Sequence, residues 1–141
     1  ILTCDSDQFF VCPQFLPFRA EALRNGWGGL IPTAEKQSSA YSYAKLNERG
    51  NVIETAEKQK ISTHAAIGSY YFSKGRYFVN AAESMIRKNI RFNNEFYMCP
   101  IYNELIAEGK IVRIVPTELW MTLGTPEEAV HFAENVPQEY R

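Results

Sequence analysis

A carboxylate and an ammonium, Glu57 and Lys58, stand side by side in a charged corner between two apolar segments. Residues 51–55 are rich in β-branched side chains, and residues 65–72 are apolar and end in three aromatics, so both are predicted to be strands of a buried sheet. At a strand end such a pair can accept hydrogen bonds from hydroxyls and bind a phosphate, as a phosphorylated sugar requires. The alternative is a solvated polar loop, because charged pairs usually mark surface.

Two further carboxylates, Asp5 and Asp7, directly follow the short apolar segment 1–4, which is predicted to be a strand. In an open α/β sheet the carboxyl ends of the strands face the crevice in which ligands bind. Carboxylates at this spacing can hold a Mg²⁺ or Mn²⁺ ion that also binds phosphate oxygens. A simple Asp-Ser-Asp turn is the alternative interpretation.

The remaining segments supply the elements that position these side chains. Further strands are predicted at residues 28–33, 41–46 and 111–115, with a β-hairpin over residues 41–55. Helices are predicted at residues 17–25, 75–92 and 100–108, where they end before Gly26, at the Asn93-Asn94 pair and before Gly109. A fourth begins at Thr125, with Pro126 in its first turn and Glu128 completing a capping box. The alternation of strands and helices indicates an α/β fold with a largely buried sheet.

The composition excludes several classes of function. The chain has 141 residues, enough for one domain, and its formal charge is -1 with scattered Lys and Arg, so neither nucleic acid nor a membrane surface is a predicted partner. Its three cysteines lack CxxC spacing, which favours a reducing compartment, and we expect a cytoplasmic protein. Because the chain begins with Ile1 inside an apolar segment, we expect an upstream portion to be missing.

Five stretches resemble, in order and spacing, the second half of the sugar-phosphate nucleotidyltransferases. This family includes glucose-1-phosphate thymidylyltransferases and mannose-1-phosphate guanylyltransferases. The last stretch is similar to the family pattern W-x-D-x-G-T-P-E-D. The five stretches are CDSDQFF, the Glu-Lys corner, AAIGSYYF, NEFYMCPIYNELIAEGKIV and WMTLGTPEEA.

The resemblance implies a role for each matching residue. Asp7 would bind the metal, Glu57 the sugar hydroxyls and Lys58 the sugar phosphate, so that Asp7 and Lys58 are the predicted catalytic residues. Gly68 would lie against the sugar. Ser42 occupies the position at which many members have a glycine whose backbone meets the sugar.

The resemblance also implies a fold and an activity. The fold would be a mixed, mostly parallel sheet flanked by helices, Rossmann-like, with residues 1–141 forming one partial domain, the C-terminal portion of the catalytic domain. The implied reaction is attack of a sugar 1-phosphate on the α-phosphorus of a nucleoside triphosphate, with Mg²⁺ as cofactor and pyrophosphate released. Such chemistry requires positioning and charge neutralisation more than a protein nucleophile. Homo-oligomerisation is a further expectation, because a partial domain exposes a sheet edge.

Two departures from the family pattern leave alternatives open. The family's Gly-rich nucleotide loop is absent, so this segment alone is expected to be inactive. The second metal-binding Asp corresponds to Thr122, whose neutral hydroxyl is a poorer Mg²⁺ ligand, so another acid serves, one carboxylate suffices, or the chain does not catalyse. The competing interpretations are a nucleotide-sugar-dependent glycosyltransferase and a non-catalytic sugar-nucleotide-binding regulatory module. Of the two histidines, His131 is predicted to pack or face solvent, and His64 follows the charged corner.

Overall fold

Nine strands and four helices make up the fold, which a computed structural model describes for residues 1–140. The helices are α1 (Phe15–Asn25), α2 (Gly75–Arg87), α3 (Ile101–Ala107) and α4 (Pro126–Asn135), followed by a short 3-10 turn at Gln138–Tyr140. The strands are β1 (Leu2–Cys4), β2 (Gln8–Val11), β3 (Gly29–Glu35), β4 (Tyr43–Leu46), β5 (Val52–Ala56), β6 (His64–Ala66), β7 (Ser69–Phe72), β8 (Val112–Pro116) and β9 (Leu119–Thr122).

Strand β3 is the centre of a seven-stranded sheet. It pairs antiparallel with β7 through Gly29 and Leu30, antiparallel with β6 through residues 33–35, and parallel with β8 along residues 29–33. Strand β1 extends the sheet beyond β7, and the β4–β5 hairpin extends it beyond β6. Strands β2 and β9 form a separate antiparallel pair.

The prediction of a mostly parallel sheet is wrong. Within residues 1–140 the pairing of β3 with β8 is the one parallel pairing between named strands, and the others are antiparallel. The reason lies in the connections, because parallel neighbours need a crossover of about a dozen residues or more. Only a few residues join β4 to β5 and β6 to β7, whereas the segment between β3 and β8 contains both α2 and α3.

Helices pack on both faces of the main sheet, because neighbouring residues of a strand point to opposite sides. Ile31 belongs to the larger core cluster, in which Met85 of α2 and Leu105 of α3 are buried. Leu30 belongs to the smaller cluster, together with Ala22 of α1. Within residues 1–140 no helix is both long enough and apolar enough to cross a membrane.

Local sequence signals fix most element ends, with some differences from expectation. The capping box of α4 is confirmed, since Thr125 and Glu128 exchange side-chain and backbone hydrogen bonds. Helix α1 ends before Gly26 as predicted, and Gly26 has a φ of +68, but the helix begins at Phe15. Helix α2 ends at Arg87, before the predicted Asn93-Asn94 stop. The predicted strand over residues 65–72 is two strands, β6 and β7, separated at Gly68, where φ is +79.

Candidate functional site

A pocket of about 450 Å³ is lined by residues from the main sheet and from the small β2–β9 pair. Four residues singled out in the sequence, Asp7, Ser42, Glu57 and Gly68, lie on its wall. They come from four separate loops or strand ends, which the antiparallel sheet brings to one place. Lys58 is not among the lining residues. Polar lining is also provided by Asp5, Gln8, Thr122 and Glu128, and aromatic lining by Tyr41, Tyr70, Phe96, Tyr97 and Trp120.

Glu57 is held in the pocket wall by the hydroxyl of Ser42, which donates a hydrogen bond to Oε2 of the carboxylate. Burial raises the pKa of Glu57, the hydrogen bond from Ser42 and the charge of Lys58 oppose that rise, and Asp5 adds to it. Ser42 is itself buried, so its side chain is ordered together with the carboxylate. The serine therefore contributes its hydroxyl, which the comparison with a family glycine did not predict.

Gly68 allows the Asp5 carboxylate to approach the floor of the pocket. A Cβ at position 68 would lie 2.2 Å from Oδ2 of Asp5, and the φ of +79 also disfavours any larger residue. The backbone fixes this approach as well, because Asp5 N–H donates to the Gly68 carbonyl over 2.9 Å. Burial and the nearby Asp7 charge raise the pKa of Asp5. The family resemblance gave Asp5 no role of its own, and no local pattern indicates a contact between residues 63 positions apart.

A second group of acids surrounds Gly124. The Oδ2 atom of Asp7 lies 3.0 Å, and the Oε2 atom of Glu128 lies 3.5 Å, from the point that a Cβ on Gly124 would occupy. The two carboxylates therefore both lie close to Gly124, at one side of the pocket. Backbone contact also holds this side together, since Leu123 N–H donates to the Asp7 carbonyl over 2.7 Å.

Thr122, which the sequence resemblance aligned with a metal-binding Asp, donates its hydroxyl to Oε1 of Glu128. This hydrogen bond lowers the pKa of Glu128, burial opposes it, and the N–H groups of Thr125 and Gly124 support it. Glu128 is therefore an anion at neutral pH. No group of three or more His, Cys, Asp or Glu side chains within residues 1–140 is arranged to hold a metal ion. A cation here would take its remaining ligands from the bound molecule or from water.

Lys58 does not line the pocket but contacts Tyr97, which does. Its backbone adopts φ +49, and its ammonium donates to the Tyr97 hydroxyl over 3.2 Å. That hydrogen bond is the main cause of a raised pKa for Lys58, so the ammonium stays charged. Glu57 is thus a lining residue of the pocket, whereas Lys58 is next to a lining residue.

Trp120 and Tyr41 form an aromatic wall between this pocket and an adjoining cavity of about 320 Å³. Their rings meet edge to face with centroids 5.2 Å apart, and Gln8 accepts a 3.0 Å hydrogen bond from the Trp120 indole N–H. His131 lines the adjoining cavity, whereas His64 begins β6 and lines neither. A pocket with flat apolar walls and a few convergent polar groups is typical of small-molecule sites.

Two solved structures resemble this fold over 96% of the chain. One is a nucleoside-diphosphate-sugar pyrophosphorylase from Vibrio cholerae, with a TM-score of 0.78 and 24% sequence identity. The other is a protein from Bacillus anthracis, assigned as a glucose-1-phosphate thymidylyltransferase and solved in complex with a sucrose, with a TM-score of 0.70 and 17% identity. The present chain covers 56% and 55% of their lengths, so it spans about half of each protein.

No protein-family model matches the chain, and no curated protein matches its sequence. At these identities the two structures show a shared fold. The fold of the chain is thus shared with proteins of the kind that the sequence resemblance named, whereas the mostly parallel sheet predicted for it was wrong.

Proposed function

We propose that this chain forms the sugar-binding part of a sugar-phosphate nucleotidyltransferase. The observation that carries the proposal is the convergence of Asp7, Ser42, Glu57 and Gly68 on one pocket. The resemblance aligns each of the four with a site position of this family, Ser42 in place of a glycine, and they are widely separated in sequence. The fold shared with a nucleoside-diphosphate-sugar pyrophosphorylase supports the same assignment.

The proposed reaction joins a sugar 1-phosphate to a nucleoside triphosphate. An oxygen of the sugar phosphate attacks the α-phosphorus, a new P–O bond forms, and the bond to the pyrophosphate leaving group breaks with its electrons leaving on the pyrophosphate. The contribution of this chain to the displacement is to position the sugar phosphate. Glu57, held by Ser42, accepts hydrogen bonds from sugar hydroxyls, and the absence of a side chain at Gly68 leaves room for the Asp5 carboxylate in the pocket wall.

We assign the Mg²⁺ of this reaction to the side of the pocket where Asp7 and Glu128 approach the same point. Mg²⁺ is commonly held by one or two carboxylates together with substrate phosphates, which fits the acids present. Bound there, the cation would neutralise the phosphate charge. Glu128 supplies the second carboxylate ligand, because Thr122 has no carboxylate, and the Thr122 hydroxyl orients Glu128 by a hydrogen bond. Cytoplasmic location and self-association remain predictions from composition and from the sheet edge.

The proposal is tested by calorimetry, which measures the affinities of the wild-type chain and of Glu57→Gln for three sugar phosphates. These are glucose 1-phosphate, mannose 1-phosphate and galactose 1-phosphate. We expect the chain to bind at least one of them, and Glu57→Gln to weaken that binding about tenfold or more, because hydrogen bonds to a charged group contribute about 1.5–3 kcal/mol. Glu54→Gln is the matched control, since Glu54 is exposed on β5 outside the pocket. Failure of all three sugar phosphates to bind, or equal binding by Glu57→Gln, would contradict the proposal.

A further inference from the structure

We propose that Tyr97 is the positioning residue that places the Lys58 ammonium at the phosphate end of the pocket. The inference rests on the proposed function, and it adds a residue to which neither the sequence nor the comparisons gave a role. Tyr97 lies on the pocket wall, and Lys58 lies outside that wall with its ammonium 3.2 Å from the Tyr97 hydroxyl. The phenol is thus the link between the lysine and the ligand space.

The backbone separates the two neighbouring charges of the Glu-Lys corner. Lys58 has φ +49, a left-handed conformation that is uncommon outside glycine. Glu57 contacts Ser42, while the Lys58 side chain contacts Tyr97. Within a ligand that spans the pocket, a hydroxyl-bearing end at Glu57 and an anionic end at Lys58 can be bound at the same time.

The Tyr97 hydroxyl is the donor in one hydrogen bond and the acceptor in another. Its hydroxyl donates to Oε2 of Glu95 over 2.7 Å, so its free lone pairs accept from Lys58. The ammonium also lies 5.1 Å from the centroid of the Tyr97 ring and 5.9 Å from that of Phe92, within the range of cation–π attraction. Lys58 is thus held by one hydrogen bond and two ring faces.

The ammonium keeps the capacity to bind an anion. A lysine carries three N–H donors, and Tyr97 accepts one of them. Among residues 1–140 the ion pairs are Arg87 with Glu83 and Lys88 with Glu104, so no carboxylate forms a salt bridge with Lys58, and Glu57 and Glu95 act on its charge from a longer distance. A phosphate at the mouth of the pocket can therefore accept from the remaining donors.

The segment that carries Tyr97 is built to hold it in place. Phe92 and Glu95 exchange backbone hydrogen bonds of 3.0 and 2.9 Å around Asn93 and Asn94, which both have positive φ, as in the type I′ turns of tight hairpins. The Arg91 guanidinium donates to the Asn94 carbonyl over 2.9 Å. This turn ends at Glu95, two residues before Tyr97, so the two asparagines form a tight turn at a position that was predicted only as a helix end.

A double-mutant cycle with Lys58→Met and Tyr97→Phe tests the inference. Both single variants and the double variant are titrated with glucose 1-phosphate and with uncharged glucose. We expect Tyr97→Phe to weaken binding of glucose 1-phosphate about three- to tenfold and to leave glucose unchanged, because the ring stays and one hydrogen bond to the ammonium is lost. In the Lys58→Met background the second substitution should have no further effect.

A second readout follows the lysine directly, through the NMR titration of its Cε resonance. Tyr97→Phe should lower the pKa of Lys58, because the phenol hydrogen bond is the main cause of its elevation. Tyr77→Phe is the matched control, since Tyr77 lies in the first turn of α2, outside the pocket, and its ring contacts two other lysines, Lys74 and Lys110.

The outcomes separate the inference from the function on which it rests. If glucose 1-phosphate binds to the wild-type chain and to Tyr97→Phe with the same affinity, Tyr97 does not position Lys58, and the proposed function stands. The same conclusion follows if Tyr97→Phe reduces the affinity as much in the Lys58→Met background as in the wild-type background. The same holds if Lys58→Met leaves the affinity for glucose 1-phosphate unchanged. If the wild-type chain binds none of the hexose 1-phosphates, the proposed function and the inference are both overturned.

Discussion

At the scale of single residues, the pocket holds its acids in different ways. Glu57 and Asp5 have raised pKa values, with burial as the main cause, while the Thr122 hydroxyl lowers the pKa of Glu128. Glu57 and Glu128 have the same side chain and opposite shifts, so Glu57 is protonated before Glu128 as the pH falls from neutral. The Glu128 charge therefore persists at a pH at which Glu57 is already partly neutral.

Asp7→Asn addresses the proposed cation site, because the amide keeps the shape of the side chain and removes its charge. We expect Mg²⁺ to increase the affinity of the wild-type chain for glucose 1-phosphate. In Asp7→Asn the affinity for Mg²⁺ should fall about tenfold or more, as replacement of groups in metal sites commonly does. Calorimetry at several Mg²⁺ concentrations measures both quantities.

Glu127→Gln is the control for this experiment, since Glu127 is an exposed acid in the first turn of α4 and does not line the main pocket. An Mg²⁺ effect of the same size in Asp7→Asn and in the wild type would remove Asp7 from the cation site.

At the scale of elements, local signals predicted what local contacts decide. Gly26 ends α1 and Thr125 caps α4 because both effects act within one helical turn. The separation of β6 from β7 depends instead on Asp5, which comes from the start of the chain and contacts Gly68. The apolar and aromatic residues of 65–72 predict one continuous strand, and nothing within that segment indicates the approach of a distant carboxylate.

Glu104 joins helices α2 and α3 and is the most informative acid for pH-dependent stability. It is buried and accepts hydrogen bonds from Lys88 at 2.7 Å and Ser84 at 2.6 Å. Burial alone would raise the pKa of Glu104, but the contacts with Lys88 and Ser84 outweigh it, and the pKa is lowered. A carboxyl with a lowered folded-state pKa stabilises the fold above its unfolded pKa. This contribution is lost as the pH falls through the folded value.

Glu104→Gln should therefore reduce the free energy of unfolding by about 1–2 kcal/mol near neutral pH. The difference from the wild type should shrink in acid, as the wild-type carboxyl becomes protonated too. Urea unfolding at about pH 7 and about pH 3 measures this convergence. Glu83→Gln, which removes the exposed ion pair with Arg87, should change stability little at either pH. A pH-independent loss in Glu104→Gln would show that its charge is not the source of the stabilisation.

At the scale of the whole molecule, the sequence predicted which elements exist better than how they are arranged. The hairpin of β4 and β5 was predicted because its strands are neighbours in sequence. The direction of the sheet was predicted wrongly, because alternation of strands and helices does not reveal which strands pair. The aromatic wall shows the same limit, since the hydrogen bond between Gln8 and Trp120 joins residues 112 positions apart. Such contacts exist only once the chain has folded.

Tyr102 ties these distant parts together at the centre of the molecule. It belongs to α3, is fully buried, and its hydroxyl lies 3.0 Å from the carbonyl oxygen of Leu30 in β3 and 2.9 Å from that of Tyr71 in β7. Its ring stacks on Phe72 with centroids 4.6 Å apart and an interplanar angle of 5°. The same ring lies where a side chain at Gly29 would be, since a Cβ there would come within 2.7 Å of it.

Tyr102→Phe should keep this packing and remove the hydroxyl contacts, so the free energy of unfolding should fall by about 1–2 kcal/mol. Urea unfolding measures the change, and Tyr77→Phe, which alters a half-exposed tyrosine on α2, should stay within about 0.5 kcal/mol of the wild type. Affinity for glucose 1-phosphate should be unaffected, because Tyr102 does not line the pocket. Equal stability of the two variants would mean that packing alone joins α3 to the sheet. A loss of affinity in Tyr102→Phe would mean instead that the core sets the geometry of the site.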